Sequence, residues 1–249
     1  MNPRKPLPKD GFVFDLETTG NPKLRAMLGV DEKIARLDDL ESDDLALIAE
    51  REGIKLGNRK TRESIYKKIV EHFDKIIGKA ALKLYGCQIT AIGCGRVGKG
   101  KIHALTVSDE LNEKDILTRF ITLLNEEGPV VLMGFNIRNF DIPVLRTRCM
   151  LLNVAWPSWL PQTRRDDKYE SVYIFDIQDV FDEGNLDTWL RMADLPPKTA
   201  SGADAPNMST EELSRYVAAD VDRERRLVRK ILPHINQHCD LFQEEIDNE

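Results

Sequence analysis

Two acids at the end of a short apolar segment constrain the fold of this chain more than any other feature. Residues 11–17 read GFVFDLE, so Asp15 and Glu17 stand two apart where the apolar run ends. A β-strand alternates its side chains between two faces, which places both carboxylates on one face, roughly 7 Å apart at Cα. Two acids on such a face are costly unless a cation lies between them, and oxygen ligands suit Mg²⁺ or Mn²⁺. The alternative is that both acids extend into solvent beyond the strand.

The composition predicts a folded protein that needs no disulfide bonds and spans no membrane. Its 249 residues are 41% hydrophobic with a formal net charge of -6, a balance that excludes wholesale disorder. No stretch reaches the ~18 apolar residues of a membrane helix, and residues 1–10 lack the apolar core of a secretory signal. The four cysteines form no C-x-x-C pair, which argues against a zinc ribbon and favours a reducing, cytoplasmic location.

The order of apolar segments predicts alternating strands and helices. The first strand is expected to end where residues 18–22 form a turn, and Ser209 with Glu212 forms a capping box that starts a long last helix. The remaining apolar periodicities predict strands at 87–97, 101–107, 130–135 and 172–177, and helices at 112–127, 141–152, 186–193 and from 209 to about 232.

Further candidate site residues follow later strands and helices. Asp141 comes after the apolar segment 130–135 and opens a predicted helix, a position that ordinary helix capping would also explain. Tyr216 and Asp220 stand four apart on the last helix, so the phenol and the carboxylate share one face. The alternative is an exposed acid beside a half-buried tyrosine. The sequence pattern alone leaves these alternatives open.

Together these segments resemble the three motifs of the DEDD superfamily of 3′→5′ exonucleases. Residues 15–20 (DLETTG) are similar to the first motif, and residues 134–141 (GFNIRNFD) to the second. Tyr216 with Asp220 resembles the tyrosine form of the third motif, DEDDy, since Arg215 stands where the other form has histidine. The resemblance implies an α/β, ribonuclease H-like fold, a mixed five-stranded sheet flanked by helices.

The likeness extends beyond the motifs and has two exceptions. The strand at residues 175–176 and the following helix at residues 186–190 also resemble the exonuclease domain of family B DNA polymerases and its stand-alone bacterial and viral relatives. The whole resemblance covers about residues 11–20 and 85–235. The segment after the first motif is much longer than a turn, which predicts an insertion. Asp194 occupies a corner where glycine is expected.

The resemblance implies hydrolysis of phosphodiester bonds with two Mg²⁺ or Mn²⁺ ions. Asp15 would bridge both ions, and Asp141 would hold one of them. Glu17 and Asp220 would complete the ligands of the other. The ions would lower the pKa of the attacking water and stabilise charge on the leaving oxygen. Tyr216 would orient that water, because a phenol with an ordinary pKa near ~10 is a poor base at neutral pH.

The expected substrate is DNA, taken at a single-stranded 3′ end or at a duplex end. The resemblance implies that Leu16, Thr18 and Thr19 pack against the terminal nucleotide and that Asn136 contacts the substrate strand. Two alternatives remain: the same fold acting on RNA, and a catalytically silent nucleic-acid-binding subunit. The presence of all four acids and Tyr216 argues against the silent subunit. A DNA polymerase or a replication or repair complex is a candidate partner.

The segment from 24 to 79 differs from the rest in its charge. Residues 31–50 hold eight acids and two bases, whereas residues 51–79 hold nine bases and four acids, with helical apolar spacing on each side of a glycine-containing loop. Residues 44–73 resemble a SAP-like helix–loop–helix motif, which implies contacts to nucleic-acid phosphates; the alternative is a solvated spacer. The bases expected to contact phosphate are Arg59, Lys60, Arg62, Lys67 and Lys68.

These observations predict four parts. The exonuclease domain would comprise residues 11–23 and 80–235, with the SAP-like insertion at 24–79 between them. A disordered leader (1–10) would precede it. An acidic tail (236–249) would follow, since the last ten residues hold five acids and no base.

Overall fold

A computed structural model describes residues 11–57, 61–80, 83–84, 86–98, 100–163, 173–181 and 183–237. The chain divides into two compact units. The larger unit contains the chain up to Glu17 together with Ile89–Glu249, and the smaller unit is Thr18–Gln88. The predicted leader and most of the predicted acidic tail lie outside the described residues. Within the described part of the chain, no helix combines the length and apolarity needed to cross a membrane.

A five-stranded mixed sheet forms the centre of the fold, as the sequence predicted. Its order is β3-β2-β1-β4-β5, so the strand that carries Asp15 and Glu17 is central. β1 pairs with β4 and β4 with β5 in parallel, whereas β2 and β3 form an antiparallel hairpin. The strands are β1 (Phe12–Gly20), β2 (Cys87–Arg96), β3 (His103–Thr106), β4 (Leu132–Gly134) and β5 (Ile174–Asp176). β1 continues through Thr18 and Thr19 to Gly20, so the expected turn begins later than predicted.

The helices of the larger unit follow the predicted order. Asn112 caps the first of them, and the Ser209–Glu212 capping box that starts the last is present. That last helix runs past the expected end at residue 232, with Pro233 inside it. The elements are α5 (Glu113–Glu127), α6 (Asp141–Leu152), α7 (Gln178–Phe181), α8 (Leu186–Met192), a 3₁₀ helix (Gly202–Asn207) and α9 (Thr210–Gln237). Asp194, just after α8, has a φ of 54°, the left-handed conformation for which glycine was expected.

A close approach between a helix and a strand holds α9 on the sheet. A Cβ added to Gly93 of β2 would lie 2.8 Å from the Val217 carbonyl oxygen and 2.7 Å from Val221 Cγ2. Because α9 carries Tyr216 and Asp220, this contact fixes their distance from the sheet. Val221 belongs to a core cluster of buried apolar side chains from the strands and α9, among them Val13, Met133, Leu227 and Val228.

A buried ion pair fixes the position of α6. Arg148 donates through Nε to Oε1 of Glu113 at 2.7 Å, and Glu113 Oε1 also accepts the Ile89 N–H at 2.8 Å. Arg148 and Glu113 are 5% exposed each, so the pair is strongly desolvated and depends on its own hydrogen bonds. These contacts join β2, α5 and α6, and Asp141 is the first residue of α6.

The smaller unit is helical and has its own core. The predicted first helix of this region is two helices, with a break at residues 38–41, and a further short helix precedes them. The helices are α1 (Pro22–Met27), α2 (Val30–Leu37), α3 (Ser42–Arg51) and α4 (Arg62–Ala80). Leu45, Ala49, Ile65, Ile69 and Phe73 are buried together, which makes α3 and α4 a packed pair.

Gly93→Ala is expected to lower the free energy of unfolding by about 1–3 kcal/mol, the usual cost of overpacking a core. The new methyl group would contact the backbone of α9, which cannot move as easily as a side-chain end. Chemical denaturation followed by circular dichroism measures the change. Gly78→Ala on α4, where an added Cβ meets no atom within 4 Å, is the control and should be neutral or stabilising. Equal stability of the Gly93→Ala and wild-type proteins would contradict the close packing.

Candidate active site

Three carboxylates that are far apart in the sequence meet at the centre of the larger unit. Carboxylate oxygens of Asp15, Glu17 and Asp220 all lie within 4.8 Å of one another. Asp15 and Glu17 reach this point from one face of β1, and Asp220 reaches it from α9. Glu17 is 7% exposed and Asp220 is 0% exposed. Asp15 is half-buried. Glu17 is therefore turned into the protein, and Asp15 is partly covered rather than extended into solvent.

Asp141 belongs to the same acidic region, although it lies outside the tight group of three. It is buried at the start of α6, and the N-cap of that helix is Phe140 without a side-chain cap bond. Asp141 is therefore not the helix cap that one interpretation of the sequence suggested. Burial, and next the negative charge of Asp15, raise the pKa of Asp141. The N–H of Leu16 donates to Asp141 and opposes that rise.

Glu224 is a fifth acid that sequence reasoning missed. It lies on α9 one turn after Asp220, is 2% exposed, and accepts the Phe135 N–H through Oε1 at 3.3 Å. Burial, followed by the charges of Asp15 and Asp141, raises its pKa. The four-residue spacing of Tyr216, Asp220 and Glu224 is the sequence signal that could have found it.

Burial makes this group of acids difficult to ionise together. Burial raises the pKa of Asp15 to about 7, with Asp220 adding to the rise and Lys198 opposing it. Burial, and then the charge of Asp15, raise the pKa of Glu17 to about 8. Each carboxylate thus destabilises the charged form of its neighbours. The site is stable in its charged form only with positive charge nearby.

Two bases that the sequence analysis did not identify supply part of that charge. Lys198 Nζ lies 2.6 Å from Asp220 Oδ2, and Arg223 Nη1 lies 2.8 Å from Asp220 Oδ1. Burial lowers the pKa of Lys198, but the charges of Asp15 and Asp220 outweigh it and raise the pKa overall. Lys198 comes from the loop after α8, where no periodicity marks it as a site residue. Both bases reduce the net negative charge at the site.

Tyr216 brings a hydroxyl group into the same site. It is 6% exposed, and within the described residues its hydroxyl has no hydrogen-bond partner of normal geometry. Lys198 Nζ lies 5.5 Å from the centre of its ring. Burial, and next the charge of Asp220, raise the pKa of Tyr216, so the phenol remains protonated and can donate a hydrogen bond.

Asn136 lies in the turn between β4 and α6, and Asp176 holds that turn in place. The Asp176 carboxylate accepts N–H groups of Asn136 at 2.7 Å, Arg138 at 2.9 Å and Gln178 at 3.0 Å. Asn136 has a φ of 63°, a left-handed conformation that these bonds help to hold. Asp176 therefore acts through the backbone of this turn. The Asn136 side chain accepts a hydrogen bond from Asn139.

The other residues predicted to bind substrate have different surroundings. Leu16 is 5% exposed, whereas Thr18 and Thr19 are partly buried. In the smaller unit, Arg62 donates through Nε to the Leu40 carbonyl oxygen at 2.9 Å, which occupies part of its guanidinium group. Their contacts with substrate stay predictions.

The other bases predicted to contact phosphate differ in how much of their side chains could reach a ligand. Arg59 and Lys60 lie outside the described residues. The Lys67 side chain is 77% exposed and lies 3.8 Å from Glu71, whereas Lys68 Nζ donates to the Lys55 carbonyl oxygen at 2.9 Å. Lys67 is thus the freer of the two lysines.

The donor set fits a divalent cation. All of the candidate ligands are carboxylate oxygens, which Mg²⁺ and Mn²⁺ prefer over softer ligands. A cation within reach of Asp15, Glu17 and Asp220 would offset the burial that raises the pKa values of Asp15 and Glu17. The geometry therefore favours a cation centre at the group of three, with Asp141 beside it.

Comparisons with known proteins agree with this fold. Residues 81–180 match the family described as DNA polymerase family B, exonuclease domain. The structure is similar to the family B DNA polymerase from the hyperthermophilic archaeon Pyrobaculum calidifontis, with a TM-score of 0.54 and 17% sequence identity. The similarity covers 94% of this chain but 26% of the polymerase, so the chain spans about a quarter of that protein. A search of curated proteins finds no match.

These findings support a 3′→5′ exonuclease-like, ribonuclease H-like fold. The matched range contains Asn136, Asp141 and Asp176 but ends well before α9. It also begins after Asp15 and Glu17. The convergence of the acids from β1 and α9 is therefore a separate observation, made on the structure itself.

Without divalent cations, Asp15 and Glu17 should make the free energy of unfolding fall as the pH rises. For Asp15 the fall extends from its ordinary pKa of 3.8 to its folded pKa of about 7. For Glu17 it extends from 4.5 to about 8. The sign follows because a carboxyl with a raised folded pKa stabilises the protein only while it is protonated. Asp15→Asn should make this fall shallower. Urea denaturation in EDTA at several pH values measures it.

Asp222→Asn is the matched control for the pH experiment. Partial burial raises the pKa of Asp222, but hydrogen bonds from Arg225 and Arg226 outweigh it and lower the pKa overall. Asp222 therefore titrates below this pH range. The control should keep the wild-type slope. A wild-type slope in Asp15→Asn as well would show that Asp15 does not titrate in this window.

Proposed function

We propose that this protein is a metal-dependent 3′→5′ exonuclease of the tyrosine (DEDDy) form that hydrolyses DNA. The observation that carries the proposal is the convergence of Asp15, Glu17 and Asp220 oxygens within 4.8 Å. The family match and the fold support a nuclease acting on nucleic acid. The presence of Tyr216 beside Asp220, with a buried hydroxyl that has no hydrogen-bond partner of normal geometry among the described residues, supports the tyrosine form.

The acids would hold two Mg²⁺ or Mn²⁺ ions. Asp15, Glu17 and Asp220 offer a set of oxygens for one site, and Asp141 with Asp15 offers oxygens for the other. Divalent cations bound in such a centre lower the pKa of water and stabilise the charge that develops on phosphate oxygens. The residues of this chain fix where that chemistry takes place, because β1, α6 and α9 are rigid elements.

Tyr216 would position the attacking water. Its raised pKa keeps the phenol protonated, so its hydroxyl donates a hydrogen bond rather than accepting a proton. Lys198 and Arg223 would hold Asp220 in place through their ion pairs. Their charge would also lessen the repulsion that a phosphate backbone meets at an acidic site. Leu16, Thr18, Thr19 and Asn136 remain the proposed contacts to the terminal nucleotides.

We further propose that residues 24–79 are a SAP-like module that binds nucleic-acid phosphates, inserted into an exonuclease domain of residues 11–23 and 80–235. The packed pair α3 and α4 supports a helix–loop–helix module. Lys67, on the first turns of α4, has an exposed side chain suited to a phosphate contact.

Partners and location are proposals of the same kind. A DNA end is the proposed substrate, and a polymerase or a repair complex the proposed partner. Cys87, Cys94 and Cys149 are buried and form no disulfide bond within the described part of the chain, which supports the proposed reducing, cytoplasmic location.

Asp15→Asn should reduce nuclease activity by roughly 10²-fold or more, because it removes a charged ligand of the proposed centre. The assay compares 3′-labelled and 5′-labelled DNA and RNA oligonucleotides with Mg²⁺, Mn²⁺ or EDTA. Asp222→Asn, the same change on the outer side of α9, should retain wild-type activity.

Stepwise shortening of DNA from the 3′ end, abolished by EDTA, is the expected pattern. Faster cleavage of RNA would assign the exoribonuclease alternative. Binding without cleavage in every metal would assign a silent nucleic-acid-binding subunit and contradict the proposed enzyme.

A variant with Lys67→Ala and Lys68→Ala should bind DNA more weakly and with a shallower salt dependence. Each lost phosphate contact should reduce the slope of log K against log salt by about 0.9 for duplex DNA. Fluorescence anisotropy at several salt concentrations measures the slope. The control replaces Lys75 and Lys79, two exposed lysines near the end of the same helix. If both double variants change the slope equally, α4 would be a solvated spacer without a specific phosphate site. Arg62 is left intact because it bonds to the Leu40 carbonyl.

A further inference from the structure

Glu224 is an acid with no place in the three sequence motifs, yet it lies beside the proposed active centre. It follows Asp220 by one helical turn on α9, as Asp220 follows Tyr216. The three side chains thus form a stripe along the buried face of the helix, with exposures of 6%, 0% and 2% from Tyr216 to Glu224. A surface acid placed by chance would not continue this stripe.

The two oxygens of Glu224 have different surroundings. Oε1 accepts the Phe135 N–H at 3.3 Å, at the end of β4. Oε2 is buried and has no hydrogen-bond partner among the described residues. A Cβ added to Gly134 would lie 3.4 Å from Oε2, so the strand leaves space at that oxygen that a larger residue would reduce.

Two other buried acids of the larger unit, Asp176 and Glu113, are satisfied by donors. Asp176 accepts three backbone N–H groups, and Glu113 accepts from Arg148 and from Ile89. A buried carboxylate oxygen without a donor is costly, and such oxygens occur where a cation or an ordered water completes the site. Glu224 Oε2 therefore calls for a ligand that the protein itself does not supply.

The charges around Glu224 indicate where that ligand lies. The acids that act on Glu224 most strongly are Asp15 and Asp141, ahead of Asp220. The oxygens of Asp15 also belong to the group that includes Glu17 and Asp220. The charge of Lys198 opposes the rise in the pKa of Glu224 and acts on it more strongly than Asp220 does. Glu224 is thus coupled electrostatically to the acidic centre.

We propose that Glu224, one helical turn after Asp220, supplies a fifth carboxylate to the divalent-cation centre. Its Oε2 would bind the cation directly or through a water attached to it, while Oε1 keeps the bond to the Phe135 N–H. The inference rests on the proposed function, because it deepens the same centre. It adds to that function a ligand that the exonuclease motifs do not contain.

The test measures Mn²⁺ binding to the metal-free protein without nucleic acid, by the electron paramagnetic resonance signal of free Mn²⁺. Glu224→Gln keeps an oxygen for the Phe135 N–H and removes the charge. We expect its Mn²⁺ affinity to fall about tenfold or more, the range seen when groups that support a metal site are changed. Glu224→Asp keeps the charge on a shorter side chain, so its Mn²⁺ affinity should lie between those of the wild type and Glu224→Gln.

Glu211→Gln makes the same change at an exposed position of α9 and should bind Mn²⁺ as the wild type does. Equal affinity of Glu224→Gln and wild type would overturn the inference and leave Glu224 as a partner of the Phe135 N–H. If circular dichroism shows that Glu224→Gln does not fold, wild-type affinity in Glu224→Asp overturns it instead. If the wild type itself binds no Mn²⁺, the proposed function fails together with this inference. If the wild type binds Mn²⁺, Asp15→Asn does not, and Glu224→Gln still does, the inference about Glu224 is wrong but the proposed cation centre stands.

Discussion

Repulsion among buried carboxylates is the constraint on which the rest of this structure depends. Asp15, Glu17 and Asp220 meet within 4.8 Å, and burial raises the pKa of both Asp15 and Glu17. A fold gains nothing in stability from such a group, because each charge is taken out of water and placed beside others of the same sign. Lys198 and Arg223 compensate for part of this cost at Asp220. A divalent cation would compensate for the remainder, which is what the proposed function requires of this arrangement.

Packing and hydrogen bonds around the acids hold the elements that carry them, β1, α6 and α9, in fixed positions. β1 is the central strand, and α9 is held against its neighbour β2 at Gly93, where no side chain fits between them. The Arg148–Glu113 pair fixes α6, and the bonds from Asp176 fix the turn that leads into it. Ligands for a cation must keep their geometry to a fraction of an ångström, which rigid elements achieve better than loops do. The same packing that stabilises the larger unit therefore also aligns its site.

The smaller, helical unit is the part of the chain that we propose to contact the substrate's phosphates. It begins one residue after Glu17 in the chain and has a core of its own. Its acidic and basic halves differ in charge, and an exposed lysine lies at the start of α4. If this lysine contacts phosphate as proposed, the contact would bind the backbone without regard to sequence, which would suit the proposed exonuclease. This chain covers 26% of the polymerase that has a similar fold. We therefore propose no polymerase activity for it.

The sequence by itself determined the features that repeat within a few residues. The two-residue spacing of Asp15 and Glu17, the four-residue spacing of Tyr216 and Asp220, and the Ser209 cap are local, and each is present in the structure. Only the tertiary structure decided which charges compensate for others. Lys198 comes from an irregular loop and carries no local signal. Glu224 keeps the four-residue spacing of Tyr216 and Asp220, but only the fold shows that it is buried beside them. The split of the first helix of the smaller unit was missed as well, since Leu37, Leu40 and Leu45 keep a roughly helical spacing across the short break. Periodicity is set by neighbours along the chain, whereas charge compensation acts through space between segments that only folding brings together.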